Sequence, residues 1–126
     1  MIDKRRNKRV REEDRVVIEA FRPGGSKVTF PINAFTKDIS LEGARIWTDK
    51  AFPLDSKLKL VLYLSRSKQI VRISGIVMWT KNCDEDLYEI GVQFQHEIPN
   101  VLMALIQHLY GKGRGIPTSV NTVGTA

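Results

Sequence analysis

The chain has 126 residues, and its 42% hydrophobic content predicts a single domain with one core. Its formal net charge is +6, yet six of its 20 basic residues lie in the segment KRRNKRVR, so the other 14 balance the 14 acidic residues. A positive excess confined to one segment predicts a local site for a small polyanion and argues against a broad basic face that follows a nucleic acid.

After the basic segment, apolar residues occur at every second position. This is the spacing expected of half-buried strands. RVVIEAF, residues 15–21, is the first predicted strand, and the turn-forming sequence RPGGS follows it. KVTFPI, residues 27–32, is the second, and its proline indicates an edge position or a bulge. Further strands are predicted in AFTKDISLEGARIWT (34–48), where a glycine breaks the alternation, and in KLKLVLYL (57–64), QIVRISGIVMWT (69–80) and YEIGVQF (88–94).

The remaining segments are a loop, a helix and a tail. KNCDEDL, residues 81–87, is interpreted as a solvated loop. IPNVLMALIQHLYG carries apolar residues at helical spacing between Pro99 and Gly111, which predicts an amphipathic helix that caps a barrel or packs on its side. Residues 112–126 lack periodicity and are predicted to be a disordered tail. The strand pattern indicates an all-β antiparallel barrel or sandwich with a C-terminal helix.

No catalytic or metal site is expected, so we predict that the chain is not an enzyme. His96 and His108 are 12 residues apart without further ligands at a useful spacing, and both are predicted to be surface or boundary residues. The sequence shows no nucleophile elbow, P-loop or dinucleotide-binding fingerprint. Trp79 continues the apolar face of its strand and is expected in the core, whereas the position of Trp47 is left open.

The single cysteine, Cys83, excludes a disulfide framework and favours a reducing compartment. No run approaches about 18 apolar residues, and no apolar segment follows the basic N-terminal region. We therefore expect a cytoplasmic protein with no membrane span and no secretory signal.

Two short strings form a candidate anion site. Arg5 and Arg9 are spaced Arg-x-x-x-Arg, and each guanidinium can donate two hydrogen bonds to a phosphate or to the edge of a guanine. In DISLEG, Asp38 can accept hydrogen bonds from guanine, Ser40 can add another, and Gly43 permits a turn or a close backbone approach. Taken alone, the basic run fits a solvated tail equally well, and DISLEG fits a turn.

In this order and separation, the two strings resemble the PilZ domain, a bacterial receptor module for cyclic di-GMP. RRNKR matches the family's Arg-x-x-x-Arg and DISLEG its Asp/Asn-x-Ser-x-x-Gly, while GIVMWT and EIGVQF are similar to its closing strands. The likeness covers residues 4–96. It implies a six-stranded antiparallel β-barrel with a C-terminal helix at 15–111, a flexible basic arm at 1–14, and the tail at 112–126.

The resemblance also implies a ligand and the residues that bind it. The arm would wrap around cyclic di-GMP, with the arginines on phosphates and guanine, the carboxylate and hydroxyl on a guanine, and the glycine shaping the turn. The expected ligand-binding residues are Arg5, Arg9, Asp38, Ser40 and Gly43. Lys4 and Arg6 flank the first arginine and are additional candidates. Lys4 also holds the position that influences in this family whether one nucleotide or a stacked pair is bound, and the sequence leaves this stoichiometry open.

The function expected from the resemblance is that of a receptor without a cofactor. Ligand binding would change the conformation of the arm, and the chain, as a monomer or weak dimer, would signal through a separate, unidentified protein. Two alternatives stay open. One is a PilZ-like module that mediates protein interaction without binding nucleotide. The other is a small barrel that binds single-stranded nucleic acid, which the aromatic content of 8% disfavours.

Overall fold

The computed structural model describes residues 8–21 and 31–111, which form seven strands and one helix. Lys4, Arg5 and Arg6, most of the KVTFPI segment with the turn before it, and the predicted tail lie outside the described residues. The elements are β1 (Arg9–Arg11), β2 (Arg15–Phe21), β3 (Ile32–Ser40), β4 (Gly43–Thr48), β5 (Lys57–Leu64), β6 (Gln69–Asp84), β7 (Leu87–Gln95) and α1 (Pro99–Tyr110).

The strands form a closed barrel. The sheet order is β1-β3-β2-β5-β6-β7-β4, every pairing is antiparallel, and a further pairing of β3 with β4 closes the ring. β2 to β7 are therefore the six barrel strands. β1 is an extra strand that pairs with the second half of β3, whose first half pairs with β2. The six-stranded antiparallel barrel with a C-terminal helix is confirmed.

Alternation of apolar side chains builds the core. In β5 the four leucines at positions 58, 60, 62 and 64 are buried, and burial of each stabilises the fold by roughly 1.5–3 kcal/mol. α1 adds its apolar face, Ala104, Leu105 and Leu109, to the same core and packs against β6. Within residues 8–21 and 31–111, no helix is both long and apolar enough to cross a bilayer.

The predicted loop at 81–87 is mostly strand, and the prediction is wrong there. β6 continues to Asp84 and β7 begins at Leu87, so only Glu85 and Asp86 form the turn of a long hairpin. All seven side chains are exposed. A hairpin that is solvated on both faces carries no apolar alternation, although its backbone is paired with a register shift between Asn82 and Asp84. The sequence pattern therefore misses it.

Trp79 is not in the core, contrary to the prediction. A β-bulge shifts the β6–β7 register between Val77 and Trp79, which changes the face on which the following side chains lie. The indole is 39% exposed and lies against Gly91, where an added Cβ would be 2.2 Å from the indole nitrogen. Trp47 is half-buried, with the Lys37 ammonium 5.1 Å from its ring centre.

His96 is exposed, as predicted, but His108 is only 1% exposed and the boundary prediction for it is wrong. Its Nδ1 lies 2.6 Å from the Ser67 hydroxyl, and its Nε2 contacts the Glu12 carboxylate. Polar partners on both ring nitrogens allow the imidazole to be buried on the inner face of α1. Glu12 is 96 residues away in sequence, so helical spacing alone could not indicate this contact.

Candidate functional site

The short strand β1 brings the two sequence motifs together. Its antiparallel register places Arg9 opposite Ser40 and Val10 opposite Ile39. Side chains on neighbouring strands reach both the directly opposed residue and its diagonal neighbour. Arg9 can therefore contact Asp38 as well as Ser40, and one end of β3 gathers three of the predicted site residues. The segment 9–11 of the predicted arm is a paired strand in this structure.

Asp38 is the centre of an ion cluster. Its side chain is only 1% exposed, and one carboxylate oxygen contacts the Arg9 guanidinium. The other oxygen accepts a 2.8 Å hydrogen bond from Nε of Arg45 and also contacts its Nη2. Arg9 reaches the Ser40 hydroxyl at 3.4 Å with its second nitrogen. Two guanidinium groups thus hold one buried carboxylate in a fixed orientation.

This pairing keeps Asp38 ionised. Burial raises the pKa of Asp38, but the hydrogen bonds and charges of Arg45 and Arg9 outweigh burial and leave the pKa below its ordinary value. The same contact raises the pKa of Arg45. The carboxylate is therefore an acceptor at neutral pH, the form that binds two N–H donors of a planar base.

We expect Asp38→Asn to destabilise the fold by about 1–3 kcal/mol at pH 7, because a charged hydrogen-bond acceptor is lost. A lowered folded-state pKa contributes stability above the unfolded-state pKa and loses it as the pH falls through the folded-state value. The difference between wild type and variant should therefore shrink below about pH 3.8. Urea unfolding from pH 7 to pH 3 measures it, with the exposed Asp49→Asn as control. A difference that is constant across this range would contradict the account.

A second buried acid extends the cluster. Glu89 on β7 lies 4.0 Å from Arg45 and 3.4 Å from the Lys37 ammonium. Together with Arg9 and Asp38, these three residues form a row of five charged groups in which positive and negative charges alternate. Three of the groups are cations and two are anions, so the cluster has a net positive charge. Arg45, Lys37 and Glu89 were not predicted as site residues from the sequence. Arg45 and Glu89 do stand out as charged residues within apolar strands, but the β4–β7 register that brings them together is not readable from the sequence.

Ser40 and Gly43 shape the connection from β3 to β4. The Ser40 hydroxyl accepts from the Glu42 backbone N–H at 3.2 Å and lies 3.4 Å from the Gly43 carbonyl oxygen. Gly43 is the first residue of β4, where an added Cβ would be 2.1 Å from the Val92 carbonyl oxygen. Of the two roles foreseen for this glycine, the close backbone approach is the one that the geometry requires.

Gly43→Ala should accordingly destabilise the fold by about 1–3 kcal/mol, because the backbone of β7 must move away to admit a methyl group. Chemical unfolding followed by circular dichroism measures this loss. Glu42→Ala, at the exposed neighbouring position, is the matched control and should change stability by less than about 0.5 kcal/mol. Equal effects of the two substitutions would show that the contact with Val92 is unimportant.

An open groove of about 520 Å³ lies beside the ion cluster. Arg9 and Arg45 supply cationic groups to its wall and Trp79 an aromatic ring, and the buried residues Gly43 and Gly91 also line it. Guanidinium groups bind phosphate, and an exposed indole can stack on a planar base. The groove can therefore bind an anionic, planar molecule. Trp79 was missed as a groove residue because the bulge that turns it outward is not visible in the sequence.

A second groove, of about 450 Å³, lies on another part of the barrel and contains none of the predicted site residues. It lies between β5, β6 and the start of α1, and its lining includes Lys59, Arg72 and His96. The charged motif residues that the structure describes thus converge beside the first groove and not the second.

The family model described as the PilZ domain matches residues 3–112 of the chain. No curated protein matches the chain. Among solved structures, the Bacillus subtilis inhibitor of motility (MotI/DgrA) is similar, with a TM-score of 0.67 and 17% identity over 86% of this chain and 50% of that one.

Two further similar structures contain cyclic di-GMP. The K. pneumonia MrkH–c-di-GMP complex has a TM-score of 0.62 and 21% identity, covering 85% of this chain and 51% of that one. The PilZ domain of YcgR from Escherichia coli with c-di-GMP has a TM-score of 0.62 and 11% identity, covering 86% and 90%. The chain spans about half the length of the MotI and MrkH structures. At these identities, the similarity shows a shared fold.

Proposed function

The chain belongs to the PilZ domain family, and we propose that it is a receptor for cyclic di-GMP rather than an enzyme. The observation that carries the proposal is the convergence of Arg9, Asp38 and Ser40 beside an open groove. These residues come from the two strings that resemble the family's motifs. The solved complexes of MrkH and of the YcgR PilZ domain with c-di-GMP support the same ligand.

The ligand would exchange one set of contacts for another. Asp38 now binds Arg9 with one oxygen and Arg45 with the other. A guanine that donates from N1 and N2 would replace Arg9 at the carboxylate, which frees the Arg9 guanidinium for a phosphate or a base edge. Arg45 would remain bound and hold the carboxylate in place. The ion pair of Arg9 with Asp38 therefore keeps the site assembled before the ligand arrives.

Other residues would complete the site. Ser40 would add a hydrogen bond to the same guanine, and Gly43 would keep β4 close to β7. Arg5 would provide the second motif guanidinium, and Lys4 and Arg6 would add positive charge next to it.

The arm would transmit binding to the C-terminal helix. The Lys8 backbone N–H donates to the Tyr110 hydroxyl at 2.8 Å, and the Lys8 ammonium lies 5.7 Å from the ring centre. Movement of Arg9 towards a ligand would change both contacts at the end of α1. We infer that residues 1–14 rearrange on binding, and that the altered surface is recognised by a separate partner protein in the cytoplasm, with the receptor a monomer or weak dimer.

Isothermal titration with cyclic di-GMP, with GTP as the control nucleotide, tests the receptor function. We expect saturable binding of cyclic di-GMP and none of GTP over the same concentration range. The stoichiometry reports whether one nucleotide or a stacked pair is bound. Absence of binding by titration and by equilibrium dialysis would leave the two alternatives, a protein-interaction module and a barrel that binds single-stranded nucleic acid.

Amide hydrogen exchange tests the rearrangement separately from binding. If the arm closes on the ligand, exchange at residues 8–14 should slow by at least about tenfold in the presence of saturating cyclic di-GMP. The exposed hairpin turn at Glu85 and Asp86 should not change and serves as the internal control. Binding without any change of exchange at 8–14 would contradict the arm movement while leaving the receptor function intact.

A further inference from the structure

A second cluster of ionisable side chains lies away from the groove. Glu12 and Asp14, in the segment that joins β1 to β2, meet His108 on α1. One potential ligand atom from each residue lies within 4.8 Å of the other two. Asp14 is 3% exposed and His108 is nearly completely buried, whereas the Glu12 side chain retains some exposure.

One oxygen of the Asp14 carboxylate is left without a partner. Oδ1 accepts hydrogen bonds of 3.2 Å from the backbone N–H and the hydroxyl of Ser65. Oδ2 is buried and has no hydrogen-bond partner among the described residues. The backbone of Asp14 is bound to Thr36 in both directions, at 2.8 and 2.9 Å, so the side chain is held in position. A fixed, buried and unpartnered oxygen calls for a proton or a cation.

His108 is oriented as metal-binding histidines are. Its Nδ1 lies 2.6 Å from the Ser67 hydroxyl, which also accepts a 3.1 Å hydrogen bond from Gln69. In the present arrangement Nε2–H donates to the Glu12 carboxylate and the Ser67 hydroxyl donates to Nδ1. With an ion bound, the proton would lie on Nδ1 and be donated to Ser67, which leaves Nε2 as the ligand, and such an outer hydrogen bond fixes the ring of a ligating imidazole. Nε2 faces the Glu12 carboxylate, so it points into the cluster.

From this geometry we propose that Glu12, Asp14 and His108 bind one divalent transition-metal ion of the zinc type. One imidazole nitrogen and two carboxylate oxygens are a donor set that suits zinc and its neighbours in the series, with water at the remaining position. The sequence predicts no such site, because His108 lies more than 90 residues from both acids.

The cluster needs one adjustment to admit the ion. Ligands at about 2.0–2.1 Å from a tetrahedral ion lie about 3.3 Å from one another, so the direct contact of His108 with Glu12 must open. Glu12 can move, because it is the most exposed of the three. Its present cationic partner, Arg66, lies 3.4 Å away and is half-exposed, and the metal ion would replace it.

A proton is the competing occupant. Burial, and after it the neighbouring Glu12 carboxylate, raises the pKa of Asp14 to about 6 despite its hydrogen bonds from Ser65. Zinc binding is measured at pH 7.5, because protons compete with metal ions for carboxylate and imidazole ligands. None of the three residues lines the groove beside Arg9, so zinc binding is measured in the absence of cyclic di-GMP.

The experiment uses the full chain in a Cys83→Ser background, because the exposed thiol is an alternative zinc ligand. Chelator-treated protein is dialysed against Zn²⁺ at pH 7.5 and its metal content is measured, with Mg²⁺ in a parallel arm. We expect one zinc per chain and a higher melting temperature with zinc. Asp14→Asn and His108→Gln should weaken zinc binding at least tenfold, whereas the exposed controls Glu13→Gln and His96→Gln should not change it.

Absence of stoichiometric zinc, or equal zinc binding by wild type and Asp14→Asn, would overturn the proposal. Equal binding by that variant would assign the metal to another place, such as the acidic hairpin turn. If His108→Gln is unfolded by circular dichroism, Glu12→Gln decides instead, because it alters the least buried ligand. Unchanged zinc binding by Glu12→Gln would then reject the site.

Discussion

Arg9→Ala should weaken binding of cyclic di-GMP by at least about 30-fold, because loss of a charged, multiply hydrogen-bonding contact at a ligand costs about 2–5 kcal/mol. The Arg9 guanidinium reaches both Asp38 and Ser40, so it stands where the two motifs meet. Removing it takes away a phosphate partner and leaves only Arg45 to orient the carboxylate.

Two further variants separate charge from geometry. Arg9→Lys keeps the positive charge but loses the planar fork, and it should retain only a small part of the affinity. Arg72→Ala removes the same charge from the wall of the second groove and should bind like wild type. Isothermal titration of the three variants, with circular dichroism to verify folding, makes the comparison. Wild-type affinity in Arg9→Ala would mean that the convergence of the motifs does not form the binding site.

Leu105→Ala should lower the free energy of unfolding by about 3 kcal/mol, within the range of roughly 2–5 kcal/mol for a buried leucine. Leu105 has no exposed surface and joins the core between α1 and the barrel. Alanine is as good a helix former as leucine, so the loss would come from packing rather than from the helix itself.

Met103→Ala is the matched control on the same helix. Met103 is 61% exposed, and its truncation should change stability by less than about 0.5 kcal/mol. Urea unfolding followed by circular dichroism gives both values under two-state conditions. Similar effects of the two substitutions would contradict the docking of α1 against β6, on which transmission from the arm to the helix depends.

The sequence pattern predicted the strands and the helix that have one buried face, because the spacing of their apolar residues matches the face that is buried. KLKLVLYL and RVVIEAF coincide with β5 and β2, and the helix begins at the predicted proline and ends at Tyr110, before the predicted glycine. Each of these segments has one buried face, and alternation or helical spacing reports that face directly. The exposed hairpin at 81–87 has no buried face, and its sequence therefore shows no alternation of apolar and polar residues.

The candidate site was predictable in part. Arg9, Asp38 and Ser40 could be identified from motif spacing, but that they touch one another follows from β1, a strand of three residues that is too short to show periodicity. Arg45 and Glu89 reach the site through strand register, and Trp79 reaches the groove through a bulge. Contacts of this kind depend on three-dimensional pairing and have no local sequence pattern.

The most direct test of the binding site is the ¹H–¹⁵N spectrum of the wild-type chain during titration with cyclic di-GMP. We expect saturable changes of amide shifts concentrated in residues 8–11 and 38–45, which include β1, the end of β3 and the start of β4. Amides near Lys59, Arg72 and His96, around the second groove, should change little. Shifts concentrated around that second groove, or no shifts at saturating nucleotide, would show that Arg9, Asp38 and Ser40 do not form the binding site.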